Sequence, residues 1–107
     1  MHIPVLVKEI LEHLNLKPGE NVIDATLDGG GHSKLFLKAV GPTGKVLGIE
    51  QDVGMIEMLK FEIRNSKFKF SKNLMLAKGN FRDIAEISKK FNFMSDAIFF
   101  DLGMSSW

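Results

Sequence analysis

A run of three glycines, Gly29–Gly31, directly follows an apolar, β-branched segment, and this pattern limits the possible folds more than any other in the chain. Glycines permit positive φ angles and leave bare backbone against which a ligand can lie. A helix-like pattern comes next, so the unpaired N–H groups of a helix start would face the same place. A strand, a glycine loop and a helix in this order are typical of an open α/β sheet that binds its ligand at the carboxyl end of the first strand.

The rest of the chain alternates apolar strands with amphipathic helices. Strands are predicted at residues 21–27, 45–50, 74–77 and 97–101. Apolar residues at helical spacing mark the helices, within 6–14 (ended by Pro18-Gly19), 35–40, 55–63 and 84–91. We expect a Rossmann-like α/β fold, with a parallel sheet of about four strands and helices on both faces. In the expected strand order 3-2-1-4, the fourth strand is an open apolar edge. We therefore expect an incomplete fold that belongs to a longer protein. Pairing of this edge strand with another chain is one possible contact.

Composition narrows the class of protein. The 107 residues, 45% of them hydrophobic and 25% charged, fit one globular domain. A net charge of +1 lacks the basic footprint of a free-standing nucleic-acid binder. The absence of cysteine excludes disulfides and thiolate metal sites, and the histidines are not spaced as metal ligands, so we expect no metal. The sequence shows neither a signal peptide nor a stretch long enough to cross a membrane, which leads us to expect a cytoplasmic protein.

The glycine loop and Glu50 predict a nucleoside site. A dinucleotide loop needs a third glycine where this chain has Lys34, which disfavours NAD, whereas a loop that holds a nucleoside without a pyrophosphate needs it less. Glu50 ends the second strand about 20 residues after the loop, the spacing at which an acid meets a ribose diol. A solvated acid at a strand end is the alternative. Asp52 is interpreted first as a helix N-terminal residue.

Other candidates lie at the remaining strand ends. Phe81 follows the third strand and could lie against a purine, or be a core residue. Asp101 follows the fourth strand and would face the ligand across the switch point of the sheet. His32 stands at a helix start beside the glycines. The segment Lys67–Lys72 interleaves cations and aromatic rings, a pattern that suits RNA but is more often a solvated approach to a strand.

These motifs together resemble those of one family, the MraW/RsmH methyltransferases of small-subunit ribosomal RNA, which use S-adenosylmethionine. The resemblance covers essentially the whole chain. The segments that carry it are His2-x-Pro4-Val5 with Glu9, Asp24-Ala25-Thr26, Gly29-Gly30-Gly31-His32-Ser33, Gly48-Ile49-Glu50-Gln51-Asp52, Gly79-Asn80-Phe81 and Asp101-Leu102-Gly103-Met104-Ser105-Ser106.

The resemblance implies a cofactor site. Gly30, Gly31 and His32 would contact the methionine end of S-adenosylmethionine. Glu50 would hold the ribose, at a position where the family commonly has Asp. Phe81 and Asp101 would complete the adenosyl side.

The resemblance also implies a reaction, the methylation of the exocyclic N4 of a cytosine in the decoding centre of 16S ribosomal RNA. The catalytic residue stays undetermined, with Asp101 as the candidate acceptor for the amino hydrogens. The Asp/Asn-Pro-Pro-aromatic sequence of many amino methyltransferases is absent, and Ser105 and Ser106 do not form the Gly-x-Ser-x-Gly elbow of a hydrolase.

The chain departs from the family pattern in two places. Asp28 stands where a glycine is common, and adds negative charge near the cofactor carboxylate. Trp107 stands where the family usually has a proline. In the family, that proline is followed by a glutamine that belongs to the cofactor site. Residues 1–107 therefore correspond to the N-terminal part of the S-adenosylmethionine-binding domain, without the RNA-binding insertion and the C-terminal strands, and are expected to be inactive alone. Two alternatives remain: a non-catalytic remnant that folds or self-associates, and an NAD-binding oxidoreductase domain.

Overall fold

The computed structural model describes residues 12–25, 31–65 and 70–99. Strands and helices alternate through these residues, as the hydrophobic pattern predicts. Short 3₁₀ turns at Ser71–Asn73 and Phe81–Asp83 flank the third strand. The elements in chain order are β1 (Asn21–Asp24), α1 (Gly31–Val40), β2 (Lys45–Glu50), α2 (Val53–Arg64), β3 (Leu74–Lys78), α3 (Ile84–Lys90) and β4 (Ala97–Phe99).

The strands form a parallel sheet in the order β3-β2-β1-β4, which confirms the predicted order. Val22 of β1 is in register with Val46 of β2 and with Ala97 of β4. The second strand pairs with β3 as far as Glu50 and Lys78. Because all four strands run in the same direction, their carboxyl ends lie along one edge of the sheet.

Helices cover both faces of the sheet, and alternate strand residues point to opposite faces. One face packs Val22 and Val46 against α1, through residues that include Phe36 and Leu37, with Ile63 of α2 beside them. The other face packs residues that include Ile23, Leu47 and Ala77 against Ile87 of α3. This two-sided burial explains why the strand sequences read as continuous apolar runs. The α/β class and the Rossmann-like architecture are therefore confirmed.

Some predicted boundaries are wrong by a few residues. Of the helix predicted within 6–14, residues 6–11 lie outside the described part of the chain. Its end comes at residue 14, before Pro18-Gly19, because Asn15 takes a left-handed φ of 49°, a common helix terminus. The first strand ends at Asp24, although the N–H of Ala25 still bonds to the carbonyl of Phe99. Phe91 was expected on the buried side of the third helix but is 37% exposed, because α3 ends one residue before it.

The cation–aromatic segment is only partly described. Phe70 is half-buried and packs against the α1 face of the core, where its ring fills the space above Gly41. Ser71 beside it is buried. Phe70 is thus a packing residue on the approach to β3, and at this position the segment is not the solvated approach that the sequence favoured. Residues 66–69, including Lys67 and Lys69, lie outside the described residues.

Candidate functional site

The predicted site residues that the structure describes stand at the carboxyl edge of three neighbouring strands. Gly31 and His32 open α1, directly after the loop that follows β1. Glu50 is the last residue of β2, and Phe81 opens the 3₁₀ turn after β3. The directions of the His32 and Phe81 side chains lie outside the described part of the chain, as do Gly30 and Asp101 as a whole.

Glu50 is held by the residues that follow it. Its side chain is half-buried, and its Oε2 accepts a hydrogen bond from the backbone N–H of Asp52 at 2.8 Å. Its backbone carbonyl accepts from the N–H of Gly79 at 2.9 Å, which joins the end of β2 to the end of β3. A carboxylate has about four lone-pair sites, so a single N–H donor leaves it able to accept further hydrogen bonds.

Asp52 begins α2, as the sequence predicts. Its Oδ1 accepts from the N–H of Gly54 at 2.8 Å and from that of Met55 at 3.4 Å. These donors belong to the first turn of the helix, where N–H groups have no intrahelical partner. Of the two acids at this strand end, Asp52 is used as a helix cap and Glu50 is the one placed at the edge of the sheet.

The start of α1 is fixed to β1 by a buried pair that the sequence analysis did not identify. Ser33 Oγ donates to Asp24 Oδ2 at 2.7 Å, and both residues are 0% exposed. The available signal was an acid at the end of an apolar strand, with a serine nine positions later in the first turn of a helix. Either residue type alone is common at such positions, so only the distance between them identifies the pair.

A reciprocal cap shapes the turn after β3. Asn80 Oδ1 accepts from the N–H of Arg82 at 2.8 Å, and Asp83 Oδ2 accepts from the N–H of Asn80 at 3.1 Å. This arrangement is similar to a capping box, with Asn and Asp in place of the usual Ser/Thr and Glu, except that Asn80 accepts from the residue two positions later. Asp83 stands at the start of α3, but its side chain caps the preceding turn. The turn fixes the backbone position of Phe81.

The described side chains at this edge carry mixed charge. Asp24, Glu50, Asp52 and Asp83 contribute carboxylates, and Lys78 is the partner of Glu50 in the β2–β3 register. Among the described residues, no group of histidine and acidic side chains could hold a metal ion. None of the helices in residues 12–25, 31–65 and 70–99 is long and apolar enough to cross a bilayer. The edge offers hydrogen-bond acceptors and helix-start N–H groups, a set that suits a polar organic ligand.

Known proteins resemble this chain along its whole length. A family model described as the MraW methylase family matches residues 1–107. A ribosomal RNA small subunit methyltransferase H from Trichlorobacter lovleyi is 36% identical over 106 residues, which are 98% of this chain and 33% of the relative. The protein of the same name from Dictyoglomus turgidum is 38% identical over 109 residues, covering 100% of this chain and 35% of the relative. The chain thus spans about a third of the length of these relatives.

Solved structures share the fold. The C-terminal domain of precorrin-6Y C5,15-methyltransferase from Rhodobacter capsulatus matches 94% of this chain and 50% of its own, with a TM-score of 0.68 at 21% identity. Fibrillarin from Aeropyrum pernix, solved with natively bound S-adenosyl-L-methionine, matches 82% of this chain and 36% of its own, with a TM-score of 0.63 at 18% identity. At these identities the likeness concerns the fold.

Proposed function

This chain belongs to the MraW methylase family, and we propose on this basis that residues 1–107 form the S-adenosylmethionine-binding part of a ribosomal RNA methyltransferase domain. The observation that carries the proposal is the meeting of the α1 start, Glu50 and the Phe81 turn at one edge of the sheet. In open α/β sheets, ligands bind outside the carboxyl ends of the strands.

The groups at this edge fit the cofactor. The carboxylate of Glu50 would accept hydrogen bonds from the two ribose hydroxyls, since the Asp52 N–H occupies only part of its acceptor capacity. The methionine carboxylate would lie at the start of α1, near Gly30, Gly31 and His32, because helix-start N–H groups attract anions. Phe81 and Asp101 would complete the adenosyl side of the site.

The proposed substrate is a decoding-centre cytosine of 16S ribosomal RNA, methylated at N4 in the cytoplasm within the small ribosomal subunit. The cofactor supplies an electrophilic methyl carbon on its sulfonium, so the protein mainly has to align the acceptor nitrogen. Asp101 is the candidate acceptor for the amino hydrogens of the cytosine. Loss of N4-methylcytidine from 16S rRNA after deletion of the gene that encodes this chain would support the assignment, and its persistence would contradict it.

We propose that the 107 residues bind cofactor without transferring methyl groups. They match 33% and 35% of the length of two relatives, so about two thirds of each relative has no counterpart in these residues. Incubation of the chain with small ribosomal subunits and methyl-labelled cofactor should leave the RNA unlabelled. Label in the RNA would show that these residues suffice for transfer.

The alternative of an NAD-binding domain is disfavoured by the place of Lys34. The third glycine of a dinucleotide loop lets helix and strand approach closely. Here a lysine side chain occupies that position, and its Nζ lies 3.5 Å from Glu62 Oε1 of α2. The Lys34 side chain therefore forms an ion pair between α1 and α2.

A non-catalytic, self-associating chain is the second candidate. Ile98 of β4 is 41% exposed, and β4 forms one border of the described four-strand sheet. An apolar edge strand is a template for pairing with another chain. Sedimentation at several protein concentrations decides this candidate: a mass that rises with concentration supports it, and a constant monomer mass excludes it.

Calorimetric titration of the chain with S-adenosylmethionine, with NAD as the control ligand, tests the cofactor assignment. We expect saturable binding at one site and no heat from NAD. If a folded chain gives no heat with S-adenosylmethionine, these residues do not hold the cofactor by themselves. If it binds NAD instead, the oxidoreductase alternative is correct.

A further inference from the structure

The buried pair formed by Asp24 and Ser33 has no part in the cofactor contacts proposed above. Asp24 ends β1 and Ser33 lies in the first turn of α1, so the 2.7 Å hydrogen bond between them spans the loop that contains the glycines. Both residues are fully buried, whereas the side chain of Glu50 is only half-buried. The pair lies beneath the site, on the face of the sheet that α1 covers.

Burial makes this hydrogen bond a strict positional constraint. A carboxyl group removed from water must keep its hydrogen-bond partners, since an unsatisfied buried polar group is costly. The hydroxyl of Ser33 can reach Asp24 only if α1 begins at its present height and rotation above β1. A shift of the helix start would therefore break the bond in a place that water does not reach.

The neighbouring contact of α1 is of a different kind. Lys34 pairs with Glu62 at 3.5 Å, and each of these side chains is 28% exposed. The Oε1 atom of Glu62 is itself buried, so water and salt screen this pair only in part. The two adjacent residues of α1 thus offer a comparison between a buried hydrogen bond to β1 and a partly buried ion pair to α2.

We propose that Asp24 and Ser33 are positioning residues, which fix the first turn of α1 so that its backbone N–H groups are preorganised for the methionine end of the cofactor. The proposal rests on the cofactor assignment for this chain. A helix start already held in place does not lose freedom when the ligand binds, which strengthens binding. In this proposal the pair acts through the position of the helix start.

The test compares the complete 107-residue chain with three variants by calorimetry with S-adenosylmethionine. Ser33→Ala removes the donor, and we expect the dissociation constant to rise by about tenfold, the scale of a hydrogen bond to a charged group. Lys34→Met removes the adjacent ion pair and should leave the dissociation constant nearly unchanged. Ile87→Val destabilises the opposite face of the sheet, where α3 packs, and should also leave it nearly unchanged.

Amide hydrogen exchange in the ligand-free chain gives a readout that does not depend on the cofactor. In Ser33→Ala, the amides of Leu35 and Phe36 should exchange faster, while those of β1 and β2 keep the protection of the unaltered chain. Asp24→Asn keeps an oxygen that can accept from Ser33, so it should lose less affinity than Asp24→Ala.

Two results would overturn the proposal. One is a Ser33→Ala chain with unaltered affinity and unaltered exchange in α1. The other is an Ile87→Val chain that loses as much affinity as Ser33→Ala, because affinity would then follow overall stability. If the unaltered chain does not bind S-adenosylmethionine, the cofactor assignment fails, and the exchange measurement still decides whether the pair fixes the helix start.

Discussion

Two acids that are two positions apart, Glu50 and Asp52, have different roles in this structure. Asp52 uses its carboxylate to cap α2, and its own N–H holds the carboxylate of Glu50. From the sequence, Glu50 is the candidate for a ribose and Asp52 is interpreted first as a helix N-terminal residue. Their hydrogen bonds separate them, because a carboxylate that caps a helix is committed to the helix N–H groups.

Substitution of each acid should therefore have a different effect. Glu50→Ala should weaken the binding of S-adenosylmethionine by about tenfold or more, since it removes a charged acceptor from the ribose, with little change in stability. Asp52→Ala should lower the free energy of unfolding by about 1 kcal/mol through the lost cap, and it keeps the N–H that holds Glu50. Calorimetric titration and urea unfolding of both variants measure the two effects. Equal losses of affinity would contradict the assignment of Glu50.

At the scale of elements, the turn between β3 and α3 is set by a close approach at Gly79. Its φ is +157°, and a Cβ there would lie 2.8 Å from Ile87 Cδ1 and 3.2 Å from Asp83 Oδ2. Its N–H also bonds to the carbonyl of Glu50. One residue thus links the end of β2, the packing of α3 and the turn that carries Phe81.

Gly79→Ala should lower the free energy of unfolding by about 1–3 kcal/mol, because the added methyl forces Ile87 or the turn to move. Ile87→Val removes the Cδ1 atom that the new methyl would meet. In that background, Gly79→Ala should cost less, and urea unfolding of the four chains of the double-mutant cycle measures the difference. Additive losses would mean that the contact with Ile87 does not limit this position.

At the scale of the whole molecule, charge and length limit what the chain can bind. A net charge of +1 is spread over a parallel sheet whose carboxyl edge carries several carboxylates. The chain matches about a third of the length of its relatives. A small organic ligand needs little more than one sheet edge, whereas RNA needs many cationic contacts with phosphates.

The chain should therefore bind a decoding-centre RNA fragment no better than the range of about 10⁻⁴–10⁻⁶ M that is typical of non-specific contacts. Fluorescence anisotropy at two salt concentrations measures both the affinity and the number of phosphates contacted. An unrelated RNA of equal length is the control and should bind equally well. Nanomolar, sequence-dependent binding would show that these 107 residues contain an RNA-binding surface.

Most of the elements, the strand order and the two-faced packing could be predicted from the sequence because their signals are local or repeated. Buried parallel strands need apolar runs, and each amphipathic helix needs an apolar stripe. Right-handed crossovers then leave few possible orders of strands. The cofactor-site residues came from motifs and spacing, and the contacts of all of them with the cofactor, those of Gly31 and Glu50 included, remain a prediction.

The sequence by itself determined the α/β class, the positions of the described strands and helices to within a few residues, and Asp52 as a helix N-terminal residue. Only the tertiary structure decided which side chains meet across the chain: Ser33 with Asp24, Lys34 with Glu62, and Phe70 with Gly41. It also decided that Phe91 lies outside the core. The physical reason is the separation in sequence between the residues that interact. Periodicity and capping act within a few residues, whereas these contacts depend on how α1, α2 and α3 dock on the sheet, which no short stretch of sequence specifies.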